Sequence, residues 1–184
     1  MPDKKSIRAE IRVKLDGQSL AERAKRSGAI RNKLFGLEAF KKARCVCFFA
    51  SLPTEVDTSS MIDEAIGMGK KVLVPLTDLE NKELKLYEIK NRGTDLKPGT
   101  LGIPEPVVSR TRAARADEPD CVVVPGLCFD KDRNRLGRGA GFYDRFLKNL
   151  KAGVPKIGLG FSFQVVQKVP AEPHDVTLDW VLTD

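Results

Sequence analysis

Three short and largely apolar runs constrain the fold of this chain more than any other feature. They occupy residues 45–50, 71–76 and 121–126, and helical patterns separate them. Such a run is typical of a strand that is buried on both faces of a sheet. Since buried strands that alternate with helices form a mostly parallel sheet, we predict an open α/β fold with helices on both faces.

Local signals place the other elements. Asp3 is expected to cap a first helix, and Ser19 and Glu22 have the spacing of a capping box for a second helix that ends near Gly36. Further elements are expected as helices over 58–68 and 142–150 and as strands over 84–89, 157–160 and 176–182. Residues 91–106 are rich in Gly and Pro and are expected to form a loop.

Length and composition indicate one ordinary globular domain. The 184 residues suffice for a full-sized core, and we expect a single domain over residues 1–184. No apolar run approaches the roughly 20 residues that span a membrane, and the basic start of the chain lacks the apolar core of a signal peptide. The cysteines are expected to be reduced core residues, Cys128 in a loop and the others in strands, namely Cys45, Cys47 and Cys121. These features predict a cytoplasmic protein that does not contact membranes.

The charge of the chain favours small anionic ligands. The net charge is +7, but the basic residues are spread along the chain and are not interleaved with aromatic ones, so we expect no nucleic-acid partner. The densest basic tract, residues 110–115, is interpreted as a solvated loop or helix face. The single histidine, His174, argues against a histidine-based metal cluster. We therefore expect a monomer that binds small molecules.

A glycine-rich loop carries the clearest chemistry. Residues 135–147 read Arg-Leu-Gly-Arg-Gly-Ala-Gly-Phe-Tyr-Asp-Arg-Phe-Leu, with a helix expected directly after the glycines. Arg135 and Arg138 supply planar donors that match phosphate, and a helix N-terminus also favours an anion. Asp144 lies one turn into the helix, where it could hold a divalent cation. The GxGxG spacing is neither a Walker A motif nor a dinucleotide fingerprint, so a plain tight turn remains the alternative.

Two further charged groups are candidates for the same site. Glu55 follows the first buried strand and is expected either to face a cleft, where it would accept hydrogen bonds from a pterin- or purine-like ring, or to be solvated. Asp57 is interpreted as the N-cap of the next helix. Lys4, Lys5 and Arg8 form either a solvated helix face or a phosphate contact. Because ligands of open α/β sheets bind beyond the carboxyl ends of the strands, we expect the two loops to lie together.

The segment 120–130, followed by 135–147, resembles the signature of the 5-formyltetrahydrofolate cyclo-ligase family, also called methenyltetrahydrofolate synthetases. Other landmarks of that family follow in order at 4–8, 55–58, 72–75, 102–106 and 173–175. The resemblance covers nearly the whole chain, and it implies an open α/β sheet like that of sugar-phosphate isomerases. Phe142 stands where the family usually has Tyr, and Ala140 where it has Gly or Lys; Phe142 keeps the stacking face and Ala140 is small.

The resemblance implies an ATP- and magnesium-dependent ring closure. ATP would phosphorylate the formyl oxygen of 5-formyltetrahydrofolate, with or without a polyglutamate tail, and N10 would then attack. Loss of phosphate would give 5,10-methenyltetrahydrofolate, with ADP and phosphate as the other products. Phosphoryl transfer depends on positioning and positive charge more than on an acid–base pair, which agrees with a chain that has one histidine.

The resemblance also implies the roles of individual residues. ATP would contact Lys4, Lys5, Ser6, Ile7, Arg8, Arg135, Leu136, Gly137, Arg138, Gly139, Ala140, Gly141, Phe142 and Tyr143. The folate would contact Phe49, Ala50, Glu55, Arg138, Gly139, Ala140, Gly141 and Phe142. Arg138 and Tyr143 would be catalytic, and Asp144 would bind magnesium, with Asp175 as a second candidate ligand.

Two other functions are compatible with the residues. A sugar-phosphate isomerase or an acyl-CoA transferase could use the same type of sheet and would need no ATP. A relative without catalytic activity could bind RNA through residues 110–115, with an affinity that falls steeply with salt.

Overall fold

A seven-stranded sheet forms the centre of the protein. The computed structural model describes residues 3–172 and 175–184, except the side chain of Leu101. Pro173 and His174, which belong to one of the family landmarks, lie outside the described residues. The strands, in chain order, are β1 Cys45–Cys47, β2 Lys71–Asp78, β3 Glu83–Ile89, β4 Leu96–Pro98, β5 Pro104–Pro106, β6 Arg112–Ala114, β7 Cys121–Pro125, β8 Cys128–Phe129, β9 Arg135–Leu136, β10 Lys156–Leu159 and β11 Trp180–Leu182. The α-helices are α1 Lys4–Asp16, α2 Leu20–Gly36, α3 Glu38–Lys42, α4 Ser59–Gly67, α5 Arg92–Asp95 and α6 Phe142–Lys148. Short 3-10 helices occupy Thr100–Gly102, Val108–Arg110 and Ser162–Gln164.

The strand order across the central sheet is β11-β10-β7-β1-β2-β3-β6. The five strands from β11 to β2 are parallel, β3 is antiparallel to β2, and β6 is antiparallel to β3. In register, Val46 of β1 lies between Val72 of β2 and Cys121 of β7. The prediction of an open, mostly parallel α/β sheet is confirmed. Because the chain first extends the sheet to one side of β1 and then to the other, a crevice is expected at the strand ends from which the loops after β1 and β7 leave the sheet.

Helices cover both faces of the sheet, and alternate strand residues point to different apolar layers. Val46 packs in the layer that holds Ile11 of α1 and Ile30 of α2. Cys47 packs in the opposite layer with Phe146 of α6. All four cysteines are buried and free, as predicted, although Cys128 lies in strand β8 rather than in a loop.

The capping signals at the first two helices are confirmed. The carboxylate of Asp3 accepts a hydrogen bond from the amide of Ser6, and Ser19 and Glu22 form the reciprocal bonds of a capping box. At α4 the N-cap position is occupied by Thr58 rather than by Asp57, and the Thr58 side chain makes no capping bond, because its hydroxyl donates to the carbonyl of Phe49. The carboxylate of Asp57 still accepts from the amide of Ser59, the first residue of α4.

Several boundaries differ from the predictions. The strand expected over 45–50 ends at Cys47, and the one expected over 176–182 is confined to Trp180–Leu182. Residues 91–106 are not a loop, since they contain α5, the β4–β5 pair and a 3-10 helix. Prolines are tolerated here because both strands of this small sheet are edge strands. Residues 110–115 include edge strand β6 rather than only a loop or helix face. In the described part of the chain, no helix is both long enough and apolar enough to cross a membrane.

Candidate active site

A cleft of about 440 Å³ opens at the carboxyl edge of the sheet, where the loops after β1 and β7 meet. This volume falls in the range of small-molecule sites. The loops supply Phe49, Ala50, Leu52, Glu55 and the stretch from Pro125 to Leu127, followed by all residues from Arg135 to Asp144. The remaining walls are Lys4, Arg8, Pro75, Thr77, Leu84, Ile103, Glu172 and Asp175. The prediction that the two motif loops lie together is therefore confirmed.

The backbone of the glycine loop, residues 137–141, takes a shape that needs glycine. Gly139 has a φ of +116° and Gly141 a φ of +69°, values that residues with a Cβ rarely adopt. Gly141 is also the N-cap residue of α6. The guanidinium of Arg8 donates from Nε to the carbonyl of Gly137 at 3.0 Å, so helix α1 is docked onto this loop.

Arg138 and Glu55 join the two loops across the cleft. Arg138 Nη2 donates to Glu55 Oε1 at 2.8 Å, and Glu55 Oε2 accepts from the amide of Leu52 at 3.0 Å. The Arg138 side chain is 42% exposed and that of Glu55 is 15% exposed. Glu55 therefore faces the cleft and is held by backbone, while Arg138 is the partner that can turn to another anion.

Arg135 lies deeper than the phosphate role implies. Its side chain is 3% exposed, and it forms an ion pair with Asp144 through Nη2 and donates to the carbonyl of Pro125 from Nη1. Its guanidinium carbon is 5.7 Å from the centre of the Tyr143 ring. Arg135 thus holds Asp144, Tyr143 and the end of β7 in fixed relative positions.

Tyr143 lines the cleft with a neutral phenol. Burial raises the pKa of its phenol well above the ordinary value, and the nearby Cys47 and Glu55 act in the same direction. The phenol therefore remains protonated throughout the neutral pH range.

Helix α1 contributes two of its five predicted residues to the cleft wall. Lys4 and Arg8 line the cleft, whereas Lys5 is exposed elsewhere, the amide of Ser6 is used to cap α1, and Ile7 is buried in the core. Lys4 Nζ lies 2.6 Å from Glu172 Oε1 and 3.6 Å from Asp175 Oδ2. The hydrogen bond to Glu172 raises the pKa of Lys4, which is therefore fully charged at neutral pH.

The carboxylates on the cleft wall fit a magnesium ion only together with phosphate. Asp144 and Asp175 both line the cleft, but the described residues contain no group of three or more His, Cys, Asp or Glu side chains that could hold a metal. Mg²⁺ is commonly bound by one or two carboxylates plus substrate phosphates, so the donors present agree with that mode.

A comparison with known protein families identifies the family of this chain. The model of the 5-formyltetrahydrofolate cyclo-ligase family matches residues 1–184. The chain belongs to this family. The resemblance in the glycine–arginine signature is thereby confirmed, and this family is one of ligases.

Individual relatives agree with this assignment. The 5-formyltetrahydrofolate cyclo-ligase of Mycolicibacterium smegmatis is 34% identical over 157 residues, which are 84% of this chain and 80% of the relative. The mouse 5-formyltetrahydrofolate cyclo-ligase is 29% identical over 187 residues, 97% of this chain and 92% of the relative. The NMR structure of the 5,10-methenyltetrahydrofolate synthetase of Aquifex aeolicus superposes with a TM-score of 0.84 at 32% identity and covers 98% of this chain and 89% of that one.

Sequence reasoning missed much of the apolar wall. Thr77 and Leu84 are opposite each other in the β2–β3 pairing, and no motif marks them. Pro75 and Ile103 fall within family landmarks to which no site role was attached. Glu172 directly precedes the landmark at 173–175, and its position beside Lys4 depends on packing between the two ends of the chain.

Proposed function

We propose that the protein converts 5-formyltetrahydrofolate to 5,10-methenyltetrahydrofolate in an ATP-dependent reaction that releases ADP and phosphate. The observation that carries this proposal is the meeting of Arg138 and Glu55 in one cleft. A cation for the phosphates and a carboxylate for the folate ring then face the same space. The transfer of phosphate from ATP to the formyl oxygen requires that closeness.

The residues of the cleft would divide the two ligands between them. Arg138, Arg8 and Lys4 would meet the ATP phosphates, with the glycine loop as the floor. Glu55 would accept hydrogen bonds from the edge of the pterin ring, beside the apolar wall of Phe49 and Ala50. Arg135 is already bound to Asp144 and to the carbonyl of Pro125, so it would chiefly hold Asp144 in place rather than contact a phosphate.

The chemistry follows from the placement of charge. The formyl oxygen attacks the γ-phosphorus and ADP leaves, while Arg138 neutralises charge on the transferring group. The lone pair of N10 then adds to the activated formyl carbon and N10 loses its proton to solvent, and cleavage of the C–O bond releases phosphate and leaves the methenyl bridge. Tyr143, held protonated, would donate a hydrogen bond to an oxygen of the reacting group.

Magnesium would be held by Asp144, with Asp175 as the second candidate, and would supply charge neutralisation on the phosphates when bound. Both carboxylates are paired with cations of the cleft, Asp144 with Arg135 and Asp175 with Lys4. Lys4 would turn from Asp175 to a phosphate oxygen as that carboxylate turns to the metal ion.

The ion pair between Arg138 and Glu55 predicts that the two ligands favour each other's binding. If ATP draws Arg138 to its phosphates, Glu55 becomes available to the folate. Calorimetric titration of 5-formyltetrahydrofolate should therefore show a lower Kd in the presence of magnesium and a non-hydrolysable ATP analogue than in their absence. Competition between the analogue and the folate, or no folate binding at all, would contradict the proposed function.

We also propose that the protein is a cytoplasmic monomer with one domain and without a nucleic-acid partner. Four free, buried cysteines support a reducing compartment. The basic tract gives little support to RNA binding, because Arg112 is paired with Glu88 and Glu118, and Arg115 with Asp117. The isomerase and transferase alternatives need no ATP, and family membership does not favour them.

A further inference from the structure

Arg145 makes three contacts that connect the glycine loop to other parts of the fold. It lies on α6 one turn after Gly141, and its Nη2 donates back to the carbonyl of Ala140 at 3.0 Å. Its Nε donates to the carbonyl of Lys82 at 2.7 Å, across to the turn between β2 and β3. Its guanidinium carbon also lies 5.3 Å from the centre of the Phe142 ring. The side chain of Arg145 thus joins the glycine loop, the first residue of α6 and the turn between β2 and β3.

The contact with Ala140 fixes more than one carbonyl. Because the peptide group is planar and trans, holding the oxygen of Ala140 also fixes the direction of the Gly141 amide, which points the opposite way. Ala140 lies between Gly139 and Gly141, both with positive φ, where the backbone has the least intrinsic restraint. Arg8 holds the carbonyl of Gly137 at the other end of the loop. The loop is therefore held near each end by an arginine.

The turn that anchors Arg145 is held by hydrogen bonds and an ion pair of its own. The carboxylate of Asp78 accepts hydrogen bonds from the backbone amide of Asn81 at 3.0 Å and from its side-chain amide at 2.9 Å. Lys85 Nζ lies 2.7 Å from the same carboxylate. Lys82, whose carbonyl accepts the hydrogen bond from Arg145, has a φ of +54°. The turn therefore presents that carbonyl in a defined direction.

We propose that Arg145 is a positioning residue that braces the glycine loop against the β2–β3 turn. Arg145 does not line the cleft, so it acts through Ala140 and Phe142 and not on the ligand. Preorganised groups bind more tightly because the cost of ordering them is not incurred on binding. The identity of the ligand that benefits, ATP, rests on the function proposed above.

Hydrogen–deuterium exchange tests the brace without reference to activity. In Arg145→Ala, the amides of residues 139–142 should exchange faster in the free protein. Lys148→Ala, which removes an exposed cation from the same helix, should leave that exchange unchanged. Arg145→Lys should give an intermediate rate, because one ammonium group keeps the charge near Phe142 but cannot reach both carbonyls. Exchange in Arg145→Ala equal to that of the wild type would overturn the proposal.

The turn provides a second and independent test. Asn81→Ala removes the side-chain bond to Asp78 without touching the cleft, so it should also speed exchange of residues 139–142. In the double variant with Arg145→Ala, Asn81→Ala should not increase the exchange rate further, because the hydrogen bond from Arg145 to the turn is already lost. Fully additive effects of the two changes would show that the turn and Arg145 act separately, and would contradict the brace.

Kinetics then separate the brace from the proposed reaction. The KM for ATP should rise about fivefold to tenfold in Arg145→Ala, a factor in the range of one ordinary hydrogen bond, with kcat little changed. Loss of activity without faster loop exchange would mean that Arg145 acts on the ligand directly, and would overturn the proposal. Faster exchange with unchanged ATP affinity would retain the brace and contradict the assignment of ATP to this loop.

Discussion

Arg138 is the side chain whose loss should separate binding from folding. Its ion pair with Glu55 is exposed on the arginine side, and such pairs contribute at most about 1 kcal/mol to stability. A contact with the transferring phosphate is stronger, roughly 1.5–3 kcal/mol. We therefore expect Arg138→Ala to lower kcat/KM by about ten- to a hundredfold while the melting temperature changes little.

A matched control is available for this substitution. Arg115 also forms an exposed ion pair, at 2.8 Å from Asp117, and does not line the cleft. Arg115→Ala should leave kcat/KM unchanged. If Arg138→Ala keeps near-normal turnover with an unchanged melting temperature, Arg138 is not part of the site.

A single substitution at Asp144 tests its proposed role as a magnesium ligand together with its ion pair to Arg135. Asp144→Asn should raise the magnesium concentration for half-maximal activity, because a neutral amide is a poorer ligand for a hard cation. It should also lower the melting temperature, since the buried guanidinium of Arg135 loses its anionic partner, a change that costs up to about 3–5 kcal/mol. Magnesium titrations at a temperature where both proteins are folded separate the effects. A titration curve identical to that of the wild type would leave Asp144 only as the partner of Arg135.

At the scale of elements, Gly141 of the glycine loop can be compared with Gly153, a glycine of similar conformation elsewhere in the chain. Gly141 and Gly153 have φ values of +69° and +81°. Alanine at either position should cost roughly 1–2 kcal/mol of stability from the left-handed backbone. A Cβ at Gly141 would also lie 2.9 Å from Nη1 of Arg145, whereas one at Gly153 meets nothing within 4 Å.

Gly141→Ala should therefore raise the KM for ATP, and Gly153→Ala should not. Thermal melting checks that the two variants lose comparable stability, and steady-state kinetics at varied ATP checks the difference in binding. Equal KM values in the two variants would show that the exact shape of the glycine loop does not matter to the ligand.

The sequence predicted elements well where their signals are local. The caps of α1 and α2 depend on residues three apart, and both were confirmed. The pairs β4–β5 and β8–β9 were missed, because strands of two or three residues are too short to show an alternating pattern.

The same limit applies to the site. Parallel strand ends predicted that the loops of Glu55 and Arg138 would lie together, which the structure confirms. The pairing of Arg135 with Asp144, and of Lys4 with Glu172, depends on three-dimensional packing that no spacing in the sequence encodes.

At the scale of the whole molecule, the cleft is assembled from both ends of the chain. Arg8 of α1 meets Gly137, and Lys4 meets Glu172, pairs that are 129 and 168 residues apart in sequence. The reversal of strand order at β1 brings these distant segments to one edge of the sheet. The ligands should therefore be recognised only by the intact fold.

The most direct measurement is turnover by the purified protein. Given 5-formyltetrahydrofolate, ATP and magnesium, it should form 5,10-methenyltetrahydrofolate, detected by its near-ultraviolet absorbance, and release ADP and phosphate in equal amounts. Omission of ATP should abolish the signal, because the formyl oxygen is a poor leaving group until it is phosphorylated. Product formed without ATP, or no product despite tight binding of ATP, would contradict the proposed reaction.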